Sequence, residues 1–326
     1  MMSRSINFLF LFLTSYTYAQ QLPQFTQFSN NVSLVNNANF INERNSVNIG
    51  VRSQMLGFGL EPNSAFIYGS YGLKKKPQPN YNPQIRISKP IPKEVIKPSR
   101  IQHAIGAIAL IDRYGAFSRT HLSGIYNLGY KINSNWNLSG SLKLGLSSLG
   151  FNSDKAVVLN SNDPFADYVN GDNEYDGFVS GNTRATTIDL GSAIFVSSKS
   201  FKAGLSCEQL AGNALSFTNG GVNFNQKLHY NILLGYNYQL SKVNIELVGL
   251  FKQMNPAPIS IDLSARAAFE NGFWAGMNYR HNSALGFLVG MKFNKSIRLG
   301  YSYDYITNRI NNFSYGGHEL ILGYAF

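Results

Sequence analysis

The last ten residues, GHELILGYAF, split cleanly by parity. His318, Leu320, Leu322, Tyr324 and Phe326 fall on one side, and Glu319, Ile321, Gly323 and Ala325 on the other. The first face is apolar and aromatic; the second mixes small, polar and one larger residue. Such alternation is the mark of a strand with two different environments on its faces. The same test succeeds upstream. SIRLGYSYDY sets Ile297, Leu299, Tyr301, Tyr303 and Tyr305 against Arg298, Gly300, Ser302 and Asp304. WNLSGSLKLGL sets Trp136, Leu138, Leu142, Leu144 and Leu146 against Asn137, Ser139, Ser141, Lys143 and Gly145. YNILLGYNYQL sets Tyr230, Ile232, Leu234, Tyr236 and Tyr238 against Asn231, Leu233, Gly235, Asn237 and Gln239. Period two over about ten residues is the length of a tilted membrane-spanning strand. Tyr near the strand ends suits an interfacial aromatic girdle.

Fourteen segments carry the pattern: 46–54, 64–73, 102–111, 118–131, 136–150, 185–197, 200–209, 227–240, 242–253, 258–269, 273–281, 284–293, 296–306 and 317–326. An even number places both termini on the periplasmic side of a bacterial barrel. The connections support this. Short turns at 133–135, 198–199, 241–242, 270–272 and 294–296 alternate with longer ones at 151–184, 210–226 and 307–316. The expected fold is all-β: an antiparallel transmembrane barrel of about 14 strands spanning residues 46–326. The last strand then pairs with the first, which leaves no open edge in lipid.

Composition sharpens the class. Charged residues are 14% of the 326, against roughly 25% in ordinary soluble domains. Aromatics are 13%, and no 18-residue apolar run occurs, so neither a water-facing surface nor a helical membrane anchor is indicated. Arg4, the apolar run INFLFLFLT at 6–14, and Thr17 and Ala19 at cleavage-site spacing read residues 1–19 as a secretory signal peptide. Residues 20–45 then form a periplasmic N-terminal segment. Cys207 stands alone, so no internal disulfide is possible.

The net charge of +11 is local. Residues 74–100 hold eight Lys/Arg against one Glu, a net +7, and six of the eleven Pro. This segment lies between the second and third strands, on the periplasmic side, where such Pro density favours extended chain. It reads as a tolerated turn insertion or as a docking arm for periplasmic partners, not as a nucleic-acid site. The loop 151–184 carries six Asp/Glu against Lys155 and Arg184. Within it, Asp172, Glu174 and Asp176, followed by Gly177, match the opening of a calcium loop, but Thr183 stands where the bidentate Glu belongs. A solvated acidic extracellular loop is the plainer reading and a weak Ca²⁺ site the alternative.

No G-x-S-x-G, H-E-x-x-H or Walker loop occurs, and the five His are scattered. No catalytic residue and no cofactor is expected. His318 and Glu319 are adjacent on a strand and point to opposite faces. The inward charges Lys143, Glu246, Lys252, Arg280, Lys292, Arg298 and Asp304 must be paired or hydrated. They either brace the lumen or line a pore.

A set of strings in fixed order then resembles a known family: QQLPQFTQF at 20–28, RSQMLGFGLEP at 52–62, LIDRYGAF at 110–117, NDPFADY at 162–168, APISIDL at 257–263, and the closing block from Tyr279 to Phe326. In this order they are similar to the PorP/SprF outer-membrane proteins of the Bacteroidetes type IX secretion system. The closing block, with Arg280, Gly286, Arg298, Tyr303, Asp304, Tyr305, Ser314, His318 and Glu319, is the most specific part. Met55 stands where the family usually shows Trp, and the 74–100 stretch is longer and more basic than its usual turn. The resemblance implies lumen and loop roles for Arg52, Asp163, Arg280, Arg298, Asp304 and Glu319. It implies partnership with type IX components and with secreted surface proteins or adhesins bearing a type IX C-terminal signal, sometimes in gliding motility. Phe326 resembles the terminal aromatic by which barrel assembly machinery recognises its clients; a plain girdle role is the alternative. The resulting expectation is a non-enzymatic accessory of secretion in the cell outer membrane, surrounded by outer-membrane lipid. A passive porin is the runner-up and a barrel enzyme the third reading.

Overall fold

Fourteen strands close on themselves in sequence order, and the first and last are hydrogen-bonded neighbours. The computed structural model describes residues 23–43, 45–57, 61–73, 100–152, 155, 184–212, 214–216, 223–254, 257–294 and 296–326. The wall strands are β1 (Ser46–Ser53), β2 (Asn63–Leu73), β3 (Ile101–Tyr114), β4 (Phe117–Lys131), β5 (Asn137–Phe151), β6 (Arg184–Ser197) and β7 (Phe201–Glu208). After them come β10 (His229–Gln239), β11 (Val243–Met254), β12 (Ser260–Phe269), β13 (Phe273–Arg280), β14 (Ala284–Lys292), β15 (Ile297–Ile306) and β16 (Gly317–Ala325). Two short strands, β8 (Ala214–Ser216) and β9 (Asn223–Asn225), form a separate hairpin in the connection read as loop. Each of the fourteen predicted spans holds one wall strand, displaced by at most a few residues.

The closing pair runs Ser46↔Ala325 through Ile49↔Leu322 to Ser53↔His318. Every backbone group along β1 and β16 therefore finds a partner, as a lipid-embedded wall requires. The largest boundary change is at β3 and β4. These reach 114 and 117 and turn on Gly115 and Ala116, with Gly115 at φ +58, a conformation glycine adopts without strain. That tight turn and His281–Ser283 lie at the end that also carries the long connections, so loop length distinguishes the two ends only on average.

Alternation places the two faces as read. Leu142 is 68% exposed and Leu144 62%, both outward toward lipid, while their neighbours Ser141 and Ser147 are buried inward. Fourteen strands leave a lumen wider than wall side chains can fill, and small inward residues such as Ser139, Ser141 and Gly145 widen it further. Residues 23–43 occupy that space. They were read as a periplasmic segment; the described part instead runs through the barrel interior, with Thr26, Gln27, Ser33 and Phe40 wholly buried. It folds there as a four-residue helix, α1 (Val32–Val35), followed by a 3-10 turn, Asn37–Ile41, capped by Asn36, whose side chain accepts from the Ala38 N–H.

Two apolar clusters seat the segment. Phe28, Val32 and Ala38 pack with Ala193, Phe195, Leu233, Val248 and Leu250. Phe25 and Phe40 pack with Phe66, Tyr68, Ile108, Ile125 and Ile321. The wall members all sit at inward positions, including Leu233 and Ile321, the large apolar residues on otherwise small or polar faces. Burial of each aromatic contributes about 1.5–3 kcal/mol. The signal-peptide region 1–19, the basic stretch 74–99 and most of loop 151–184 lie outside the described residues.

Candidate functional site: a luminal latch

Three of the family-motif residues converge. Arg52 on β1, Asp304 on β15 and Glu319 on β16 lie on neighbouring strands with inward parity. Arg52 Nη2 donates to Asp304 Oδ2 at 2.6 Å, and its Nε stands 3.9 Å from Glu319 Oε2. All three side chains are at least nine-tenths buried. What they hold is the N-terminal segment. Thr26 Oγ1 donates to Asp304 at 2.7 and 2.6 Å, and the backbone N–H groups of Thr26 and Gln27 donate to Glu319 at 2.7 and 3.1 Å. Gln27 also donates its amide to the Glu319 carbonyl. Each charge-assisted bond of this kind contributes about 1.5–3 kcal/mol.

Gly286 on β14 makes room for this contact. It pairs with Asp304, and a Cβ at this position would lie 2.6 Å from the Thr26 methyl group.

Among the described residues, most other inward charges form three more paired groups, while Asp112 accepts from Ser64 at 2.6 Å opposite Arg119 across β3 and β4. Asp262 joins Lys252 at 2.9 Å and Arg280 Nε at 2.7 Å. Glu246 joins Lys202 at 2.6 Å and Arg266, which also donates to Asn30 of the segment and lies over the Trp274 ring. Lys143 bridges Asp189, at 3.0 Å, and Glu208, while His121 stands 3.7 Å from Asp189. Glu208 accepts from Asn37 of the segment at 3.0 Å. Pairing of this kind offsets the desolvation cost of charges in a closed lumen. Arg298 joins none of these ion pairs; it donates to Asn48 at 2.7 Å and to Asn31 at 3.5 Å. Lys292 is exposed at the turn end of β14.

Further contacts come from uncharged wall residues. Ser206 donates to the Val35 carbonyl at 2.7 Å, Asn127 to the Asn37 carbonyl at 2.8 Å, and Ser139 to the Ala38 carbonyl at 2.8 Å. Asn36 reaches the Ile194 carbonyl at 3.1 Å. A cavity of about 130 Å³ remains between the segment and the wall, bordered by Phe25, Phe28, Leu34, Leu250, Lys143 and Asp189 among others.

Arg52, Asp304 and Glu319 are thus brought together, while Arg280 belongs to the adjoining Asp262 group and Arg298 grips the segment lower down. His318 and Glu319 point apart: Glu319 is luminal, and His318 meets the Tyr301 hydroxyl at 2.6 Å on the outer face. Phe326 is 62% exposed at the terminal end, with its ring stacked on Tyr324 and its N–H donating to the Asn45 carbonyl. Asp163 and the calcium candidates Asp172, Glu174 and Asp176 lie outside the described residues. Sequence reading missed Thr26, Gln27 and the carboxylates Asp189, Glu208 and Asp262. The three carboxylates sit at inward parity and could have been found by it; Thr26 and Gln27 precede the first strand and carry no such signal.

Comparison with solved structures finds outer-membrane barrels. The Pseudomonas putida toluene transporter TodX is 11% identical, with 91% of this chain and 94% of that chain covered at a TM-score of 0.50. The CymD monoaromatic hydrocarbon channel is 8% identical over 93% of each chain, TM-score 0.46. The translocator domain of the autotransporter NalP from Neisseria meningitidis is 11% identical over 86% of this chain and 88% of that one, TM-score 0.33. At such identity the TodX likeness speaks to the fold alone. No curated protein matches the chain. One family profile does, that described as type IX secretion system membrane protein PorP/SprF, over residues 17–324. That span takes in the luminal segment, the latch and the closing strand together, and the chain belongs to the PorP/SprF family of outer-membrane proteins of type IX secretion.

Proposed function

We propose that this barrel binds a secreted surface protein or adhesin carrying a type IX C-terminal signal and helps to export it or anchor it at the cell surface, without catalysing a reaction. The observation that supports this over a passive porin is the filled lumen. Residues 23–43 thread the interior and are tied to the wall by Asp304, Glu319 and Glu208. A barrel that devotes its lumen to its own chain serves as a rigid frame, and contact with a partner falls to the outer loops. Gliding motility is one setting in which an anchored adhesin would act. Removal of residues 1–19 as a signal peptide, recognition of Phe326 by barrel assembly machinery, and docking of the basic 74–100 stretch to periplasmic type IX components complete the reading.

The test is a surface-proteome comparison between the parent strain and a deletion of this gene. Loss of one large exported protein from the surface, restored by complementation, supports the proposal and names the partner. An unchanged surface with altered uptake of small solutes sinks it in favour of the porin.

A further inference from the structure

The wall holds the N-terminal segment both by its main chain and by its uncharged polar side chains. Glu319 accepts two backbone N–H groups, and Ser206, Asn127 and Ser139 each donate to a backbone carbonyl. These main-chain contacts read no side chain, while Asp304, Arg266, Arg298, the Ile194 carbonyl and Glu208 meet the side chains of Thr26, Asn30, Asn31, Asn36 and Asn37. The gripping residues sit on β16, β7, β4 and β5, inside a closed ladder that does not depend on the segment for its own pairing. Apolar side chains are received in two hollows, one around Phe28 and one around Phe40. Residues 23–42 carry no charged side chain, and the wall's inward carboxylates are already matched by wall donors or by segment donors. If the segment leaves, buried donors and acceptors lose their partners, which is costly until water or another chain replaces it.

We infer that the lumen is a polypeptide-binding track whose resident ligand is residues 23–43, held in the place of a segment from another chain. The ligand class is an uncharged stretch rich in Asn, Gln and Ser, with a bulky apolar residue near each end. That the other chain is the exported partner rests on the function proposed above; the track does not.

The test uses the full chain in detergent micelles with a protease site inserted after Glu43. After cleavage the segment remains bound but free to exchange, and a fluorescent synthetic peptide of residues 23–43 is followed by anisotropy. The peptide is expected to enter saturably. An unrelated charged peptide of the same length should not compete, and neither should the segment's own peptide with both Phe28 and Phe40 replaced by Ala. Ser206→Ala in the wall should speed release about fivefold, the change expected for one buried hydrogen bond. Absence of exchange, or equal competition by the unrelated charged peptide, overturns the inference. Should the insertion prevent folding, the uncut Ser206→Ala/Asn127→Ala chain is used: it should admit labelled peptide and the uncut parent should not. A track that takes its own peptide but no segment of any exported protein would leave the site standing and remove the proposed partner.

Discussion

The carboxylate of Glu319, on the closing strand, accepts the backbone N–H of Thr26 at 2.7 Å across 293 residues of sequence. A wall side chain thereby satisfies a main-chain donor that has no secondary structure to satisfy it. Glu319→Gln keeps the shape and removes the charge. The loss of about 1.5–3 kcal/mol of charge-assisted bonding predicts roughly a ten- to hundredfold rise in protease cleavage within residues 23–43, with the wall intact. Limited proteolysis beside heat-modifiable gel mobility measures both.

Deleting residues 23–43 should open the lumen. Planar-bilayer recording is expected to show steady conductance steps for the deletion and brief, rare ones for the full chain. Equal, steady conductance from both proteins would mean that the segment does not close the barrel.

Asp262 serves two cations at once, Lys252 at 2.9 Å and Arg280 at 2.7 Å. Asp262→Asn leaves both buried and poorly matched, and a loss of about 3–5 kcal/mol is expected. The thermal midpoint of the purified barrel should drop, and adding Lys252→Met should restore part of it. A drop that Lys252→Met only deepens would show that charge mismatch is not the cause.

At Gly286, an added methyl group meets Thr26 and the Asp304 carboxylate. Gly286→Ala should cost about 1–3 kcal/mol through overpacking. Because the tightest approach is to the segment, with the Asp304 carboxylate next, the main readout is faster cleavage of residues 23–43, with a smaller drop in the barrel melting temperature.

Phe326→Ser separates assembly from girdle. A terminal assembly signal predicts severalfold less folded barrel in the outer membrane, while the purified, refolded protein melts as before. A girdle aromatic alone predicts near-normal abundance.

The wall was legible in the sequence because lipid and lumen impose opposite chemistry on successive residues, so parity exposes each strand. Even the family-motif trio could be set at inward positions, although only the folded barrel shows Arg52 meeting both Asp304 and Glu319. The contents of the lumen were not legible. The stretch from Pro23 to Asn42 is uncharged and aperiodic, and its partners lie up to 293 residues away, so nothing local distinguishes it from a periplasmic tail. One hint was available in hindsight. Leu233 and Ile321 are large apolar residues on polar faces, and a water-filled lumen has no use for them; they pack on the segment.

The pairing of β1 with β16 also sets an order of events. Thr26 and Gln27 are anchored by a carboxylate on β16, so the interior cannot be secured until β16 is in place. A chain cut short before β16 lacks both the seam and the Glu319 anchor, and residues 23–43 lose that hold. The same contact that fills the finished barrel is thus missing from an unfinished one.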